Sequence, residues 1–148
     1  MKVLIIDDNK DLVDTLVSFF TIKGIQCKTA QNGKVGLELL AKEQFDITLM
    51  DLNMPLVSGL DIYDRLKKSN IVKKTKVIIM TGQPVSDMEA REMMYMGILR
   101  IVKKPFVLAE LYNEMIKLHK LLLQRNIKRV TTQKIVSTKR SYPFVYVG

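Results

Sequence analysis

The chain opens MKVLIIDDNKDL (1–12). Val3 to Ile6 are apolar without a break, and two carboxylates, Asp7 and Asp8, follow at once. A short, wholly apolar run reads as a strand covered on both faces, since a half-exposed strand alternates apolar and polar residues. Two like charges beside each other at its end repel, so that end needs a compensating partner.

The same kind of run recurs along the chain: IQCKTA (25–30), DITLM (46–50), KVIIM (76–80) and ILRIV (98–102). Helical patterns fill the intervals. The stretch 10–22 sets Leu12, Leu16 and Phe19 or Phe20 on one face, and 33–43 repeats Val35, Leu37, Leu39 and Leu40. The stretch 59–68 carries Leu60, Ile62, Tyr63 and Leu66, and 86–96 carries Met88, Met93, Met94 and Met96. A fifth helix is expected after Pro105, ending near Leu123, with Leu108, Leu111, Met115, Leu118 and Leu122 at helical spacing. The methionines of the fourth helix suit an adaptable surface, but core filling is their commoner use. Five strand–helix units in succession predict an α/β fold, a doubly wound parallel sheet with helices on both faces and right-handed crossovers.

In such sheets, sites form outside the carboxyl ends of the strands. Asp7 and Asp8 follow the first run, Asp51 the third, Thr81 and Gly82 the fourth, and Lys104 and Pro105 the fifth. The run ending in Ala30 contributes no such group, as suits an edge strand. Three carboxylates close together raise one another's pKa unless a cation sits among them. A hard divalent ion such as Mg²⁺ fits oxygen donors of this kind, whereas a zinc site calls for Cys and His. Taken singly, each residue has a plainer reading. Asp7, Asp8 or Asn9 can cap the first helix, Thr81 can serve a turn, and Lys104 can be a solvated neighbour of Lys103.

The motifs DD (7–8), DLNMPLVSG (51–59), MTG (80–82) and KKPF (103–106) together resemble the receiver domain of two-component response regulators, chemotaxis-regulator-like, over about residues 1–122. Order and spacing both match: Asp8 precedes Asp51 by 43 residues, Asp51 precedes Thr81 by 30, and Thr81 precedes Lys104 by 23. The resemblance implies a flavodoxin-like, five-stranded parallel sheet in the order 2-1-3-4-5. It implies that Asp51 is the phosphoacceptor, forming an aspartyl phosphate. Asp8 would bind Mg²⁺ directly, Asp7 through water, and the backbone carbonyl of Asn53 would complete the protein ligands beside Asp51. Lys104 would pair with the phosphoryl oxygens, followed by a cis bond to Pro105, and Thr81, ahead of Gly82, would donate its hydroxyl. In this family the positions of Asn53 and Gln83 influence how long the phosphate survives. One position departs from the family's habit: Ile101 stands where Tyr or Phe often serves as a rotamer switch.

The resemblance implies a signalling protein rather than an enzyme in the ordinary sense, catalysing only its own phosphorylation and dephosphorylation. Its phosphodonor would be a histidine kinase, a histidine phosphotransfer protein or a small acyl phosphate. Its output would pass through the surface of helix 4, strand 5 and helix 5 to a downstream protein, with a homodimer as a further option. A Mg²⁺-dependent phosphatase on a similar sheet is the alternative of another class. Those enzymes usually carry a second acid two residues after the nucleophile, where this chain has Asn53.

The 148 residues suit one domain, and the composition is that of an ordinary globular chain. The single cysteine, Cys27, reads as a small core residue. No apolar run approaches the roughly 18 residues of a membrane helix, and no leader is evident, so a cytoplasmic protein without membrane contact is expected. The formal charge of +9 is uneven. Glu114 is the last acid, and eight basic residues follow from Lys117 onward, while residues 1–116 hold 16 basic and 15 acidic groups. We expect a receiver domain over 1–124 and a basic tail over 125–148 too short for a recognisable output domain. Tyr142, Phe144 and Tyr146 alternate, and the tail's β-branched content reads as a strand more than a linker, with Pro143 at its start or edge. Three readings of the tail stay open: a solvated extension, a segment packed on the receiver or a second subunit, and a segment binding nucleic acid or another acidic partner. His119, the lone histidine, reads as a surface residue.

Overall fold

The computed structural model describes residues 1–55, 59–68 and 75–139, with side chains throughout except at 66, 67 and 129–139. Among the described residues ten elements alternate in order: β1 (Lys2–Ile6), α1 (Lys10–Ile22), β2 (Gln26–Ala30), α2 (Gly33–Lys42), β3 (Ile47–Asp51), α3 (Gly59–Lys68), β4 (Val77–Thr81), α4 (Asp87–Met96), β5 (Arg100–Lys103) and α5 (Leu108–Lys139). The strands form one sheet in the order β2-β1-β3-β4-β5, every pair parallel. The chain reverses its direction across the sheet after β2. Right-handed crossovers therefore put α1 on one face and α2, α3 and α4 on the other. The reversal leaves a crevice between the carboxyl ends of β1 and β3.

Both faces are buried. Leu4, Ile6, Met50, Val77 and Ile79 share a cluster with Leu40 of α2, Ile62 and Tyr63 of α3 and Met93 of α4. Val3, Ile5, Leu49, Ile78 and Met80, which alternate with them, are also fully buried, and α1 buries Val13, Leu16 and Phe20. Only β2 is largely exposed, as befits an edge. The helices start on side-chain caps. Asn9 accepts the Leu12 N–H, Asn32 accepts the Val35 N–H, and Ser86 with Glu89 forms a capping box on α4.

Several expectations are corrected. Asp51 and Thr81 do not follow their strands but end them, paired with Met80 and Lys103 respectively. The ladder continues until its neighbour stops, whatever the polarity of the last side chain. Val35 faces solvent, because α2 turns Gly33, Gly36 and Leu40 inward. Of the α4 methionines, only Met93 is buried and Met96 partly so. Met88 is 69% exposed, and Tyr95 beside them is 94% exposed. The fifth helix does not end near Leu123, and residues 131–139 are helical rather than extended. A nucleated helix gains one hydrogen bond per added residue, whereas an isolated strand has no partner to pair with. Neither Gly nor Pro interrupts the chain between Pro105 and Pro143, and β-branched residues cost only tenths of a kcal/mol each. Leu66 lies outside the described side chains, and Pro143, Tyr142, Phe144 and Tyr146 lie outside the described residues. By compactness the chain divides within α5, into Met1–Tyr112 and Asn113–Gly148.

One contact fixes α3 against α4. The buried Tyr63 hydroxyl donates to the Met96 carbonyl at 2.6 Å, one of the carbonyls a helix leaves unpaired in its last turn. Gly97 then turns the chain at φ 109°, and a Cβ there would stand 2.8 Å from the same hydroxyl. Tyr63→Phe is expected to lower unfolding stability by about 1–3 kcal/mol, the cost of leaving a buried carbonyl unpaired, read from urea denaturation midpoints.

Candidate acidic site at the carboxyl edge of the sheet

Register brings the first two acids together. Ile6 pairs with Met50, so Asp7 continues β1 alongside Asp51 at the end of β3. The Asp7 backbone N–H donates to the Ala30 carbonyl at 3.1 Å, extending the pairing with the edge strand by one residue. The Asp7 carboxylate is fully buried. Its Oδ1 accepts the Asn9 backbone N–H at 2.9 Å, and its Oδ2 accepts Lys104 Nζ at 2.6 Å. Lys104 also reaches Asp51 Oδ1 at 2.9 Å. One ammonium thus bridges two carboxylates from adjacent strands.

Lys104 reaches this position from the far side of β4. Its backbone N–H donates to the Thr81 carbonyl at 2.7 Å, one step beyond the Thr81–Lys103 pair. The Lys104–Pro105 peptide bond is cis. Asp8 is exposed at the rim. One carboxylate oxygen from each of Asp7, Asp8 and Asp51 lies within 4.8 Å of the others. Three carboxylates against one ammonium leave the cluster net negative. All the donors are hard oxygens, and the group contains no Cys or His. That chemistry fits Mg²⁺.

The electrostatics follow from burial. Asp51 is 4% exposed. Removal from water pushes its carboxyl above the ordinary aspartate range, against the pull of Lys104, and the charges of Asp7 and Asp8 push the same way. For Lys104, burial alone would lower the ammonium pKa. The hydrogen bonds to Asp7 and Asp51 outweigh burial and leave it raised.

The other expected residues are placed as follows. Thr81 is 1% exposed. Its hydroxyl accepts the Gln83 N–H at 3.0 Å and faces two acceptors, Asn53 Oδ1 at 3.1 Å and the Gln83 carbonyl at 3.3 Å. Gly82 is exposed, with open space where a Cβ would stand. Ile101 is partly buried against the core cluster, away from any aromatic role. Two features were not legible in the sequence. The Asn53 side chain joins Thr81, a bond that neither its expected backbone ligation nor its expected influence on phosphate lifetime called for. Gly59 lies against the backbone of Asp51: a Cβ there would meet the Asp51 carbonyl oxygen at 2.4 Å and the Leu52 Cα at 3.1 Å. Its N–H donates to the Leu52 carbonyl at 2.9 Å. Glycine is needed so that α3 can start directly beneath the acid. Its eight-residue offset from Asp51 was the only signal, and that also fits an ordinary loop.

A doubly wound parallel sheet carrying three acids and a lysine at its switch crevice belongs to the class of α/β domains that bind their ligands at the carboxyl edge of the sheet. Comparison with known proteins narrows it. The sequence profile of the response regulator receiver domain matches residues 3–116. The chain belongs to the response regulator receiver family. It is 34% identical over 110 residues to sporulation initiation phosphotransferase F of Bacillus subtilis, covering 74% of this chain and 86% of that protein. It is also 34% identical over 108 residues to response regulator SaeR of Staphylococcus epidermidis, covering 73% of this chain but only 45% of SaeR. Among solved structures, the receiver domain of Francisella response regulator 1452 superposes with a TM-score of 0.74 at 30% identity, covering 82% of this chain and 98% of that one. The Thermotoga maritima response regulator TrrA, solved with Mg²⁺ and BeF, superposes with a TM-score of 0.67 at 25% identity, covering 79% and 97%. Receiver domains are signalling modules of two-component systems whose only chemistry is on their own phosphorylation state.

The raised pKa of Asp51 has a sign that can be measured. Between the ordinary aspartate range and the raised folded value, the folded state binds more protons than the unfolded, so stability falls as pH rises through that window. Above it the full penalty persists. In Mg²⁺-free buffer, Asp51→Asn is expected to be more stable than wild type near pH 7, with the gain shrinking toward zero near pH 4. Urea unfolding at the two pH values checks this.

Proposed function

We propose that the chain works as a response regulator receiver, accepting a phosphoryl group on Asp51 and switching a partner-binding surface. The observation that carries this is the bridge of Lys104 to both Asp7 and Asp51 beside the exposed Asp8. It holds one carboxylate oxygen of Asp51 and leaves the cluster short of positive charge, which suits an incoming dianion accompanied by a divalent ion. The phosphodonor is a phosphohistidine on a histidine kinase or a phosphotransfer protein, or a small acyl phosphate.

The Asp51 carboxylate oxygen attacks phosphorus, the bond from phosphorus to the donor breaks, and an aspartyl phosphate results. Burial favours this step, because a carboxylate stripped of water is a less stabilised anion. Lys104, already aimed at Asp51, shifts its ammonium onto the phosphoryl oxygens, and Thr81 donates its hydroxyl to them. Asp8, Asp51 and the Asn53 carbonyl would hold Mg²⁺, with Asp7 acting through water. When bound, the ion neutralises charge that builds on the transferring group. The residues that respond run from the site toward α4 and β5. Thr81 ends β4, and Ile101 on β5 packs in the same cluster as Met93 and Ile98. With no aromatic ring at position 101, displacement of the Thr81–Gln83 loop is the link to α4.

The receiver is assigned to residues 1–124, with the segment from 125 as an extension. Its charge favours a second reading, in which the basic end of the chain contacts nucleic acid or another acidic partner. Salt-dependent binding lost on deleting residues 125–148 would distinguish it. No described helix is long and apolar enough to cross a membrane; action in the cytoplasm is part of the proposal.

Acetyl phosphate with Mg²⁺ should add one phosphoryl group to the intact mass of wild type. Omitting Mg²⁺, or substituting Asp51→Asn, should abolish that addition, and full addition to Asp51→Asn would sink the proposal. The two neighbouring acids should also differ. Asp8→Ala is expected to weaken Mg²⁺ binding, followed by calorimetry, more than Asp7→Ala, since Asp7 is already committed to Lys104 and to the Asn9 N–H.

A further inference from the structure

We propose that the side chain of Asn53 is a latch on Thr81, holding its hydroxyl in the resting state and setting how readily the switch is thrown. This rests on the receiver reading above and extends it to a positioning role for a residue given only a backbone role there. A threonine hydroxyl has one proton. Here the oxygen is already engaged as an acceptor by the Gln83 N–H at 3.0 Å, which restricts where that proton points. Two acceptors face it: Asn53 Oδ1 at 3.1 Å and the Gln83 carbonyl at 3.3 Å. Asn53 offers the closer one. Thr81 is buried, while the Asn53 side chain that meets it is exposed.

A phosphoryl group on Asp51 must take this same proton to engage Thr81. The bond to Asn53 therefore competes directly with the bond that signals phosphorylation. The competitor is attached to the acceptor's own loop, since Asn53 lies two residues beyond Asp51 and 28 before Thr81. Removing it leaves Thr81 with only the longer contact to Gln83, and the switched arrangement then forms at lower cost. Asn53→Ala keeps the backbone carbonyl that the function above assigns to Mg²⁺, so side-chain and backbone roles can be separated.

The test is a double-mutant cycle read as the apparent affinity for beryllofluoride in saturating Mg²⁺, by calorimetry. Asn53→Ala should bind beryllofluoride about two- to tenfold more tightly than wild type, the size of one neutral hydrogen bond. The gain should vanish in a Thr81→Ala background and return in Thr81→Ser, which restores a hydroxyl. An unchanged or weakened beryllofluoride affinity in Asn53→Ala overturns the latch, as does an equal gain in Thr81→Ala. In both cases binding by wild type leaves the receiver reading standing. If wild type binds no beryllofluoride with Mg²⁺ present, the receiver reading fails and the latch with it.

Discussion

Lys104 holds two carboxylates apart from water and against each other, and the site is built around that constraint. Asp7 and Asp51 stand at the ends of adjacent parallel strands because Ile6 and Met50 are in register. Nothing about a parallel ladder spares them the repulsion. The ammonium at 2.6 and 2.9 Å compensates two of the three negative charges only in part. Burial raises the cost for Asp51, whose carboxyl is pushed upward, and the same ion pairs hold Lys104 charged. The resting site is stable enough to fold and still short of positive charge. That imbalance is what a divalent cation beside the acids would relieve.

The surroundings are arranged so that the three strands delivering these groups do not move independently. Gly59 lets α3 begin against the Asp51 carbonyl, and the Gly59 N–H pairs with Leu52. Tyr63, one turn further along α3, reaches the end of α4. The Lys104 N–H pairs with the Thr81 carbonyl, tying the lysine's position to the strand that ends in Thr81. Asp51 is thus linked to Thr81, the loop through Gln83 and the start of α4 at Ser86 by short covalent and hydrogen-bonded steps. Ile101 gives β5 an apolar contact with the core in place of an aromatic ring.

The outer face of α4 shows why exposure has to be read from structure. Met88 and Tyr95 are seven residues apart, hence on one side of the helix, and both project into solvent. In sequence they belong to a methionine-rich run that resembles core. Which of its members turn inward depends on how the helix is rotated over β4 and β5. That rotation is set by Met93 entering the cluster with Tyr63 and Ile98.

Much of this protein was legible without coordinates. The wholly apolar runs at 3–6 and 76–80 mark strands with both faces covered, and their alternation with amphipathic stretches dictates a parallel, doubly wound sheet. The order of Asp7, Asp8, Asp51, Thr81 and Lys104 brings chemistry to one edge of it, because parallel strands all end on the same side. Helix starts were readable where Asn9 and Ser86 cap them, since capping is a local bond. What failed was non-local. Ladders ran one residue further than polarity suggested at Asp51 and Thr81, because a strand stops when its partner does. The helix after Pro105 continued through residues that looked extended, because propagation costs less than finding a strand partner. The sequence by itself determined which groups gather and at which edge. Only the tertiary structure decided that one lysine bridges two of the acids, that Gly59 must make room for the third strand's carbonyl, and that Asn53 meets the Thr81 hydroxyl. Those contacts join residues 28 to 97 positions apart or depend on tenths of an ångström between backbones, and neither is encoded in any local pattern.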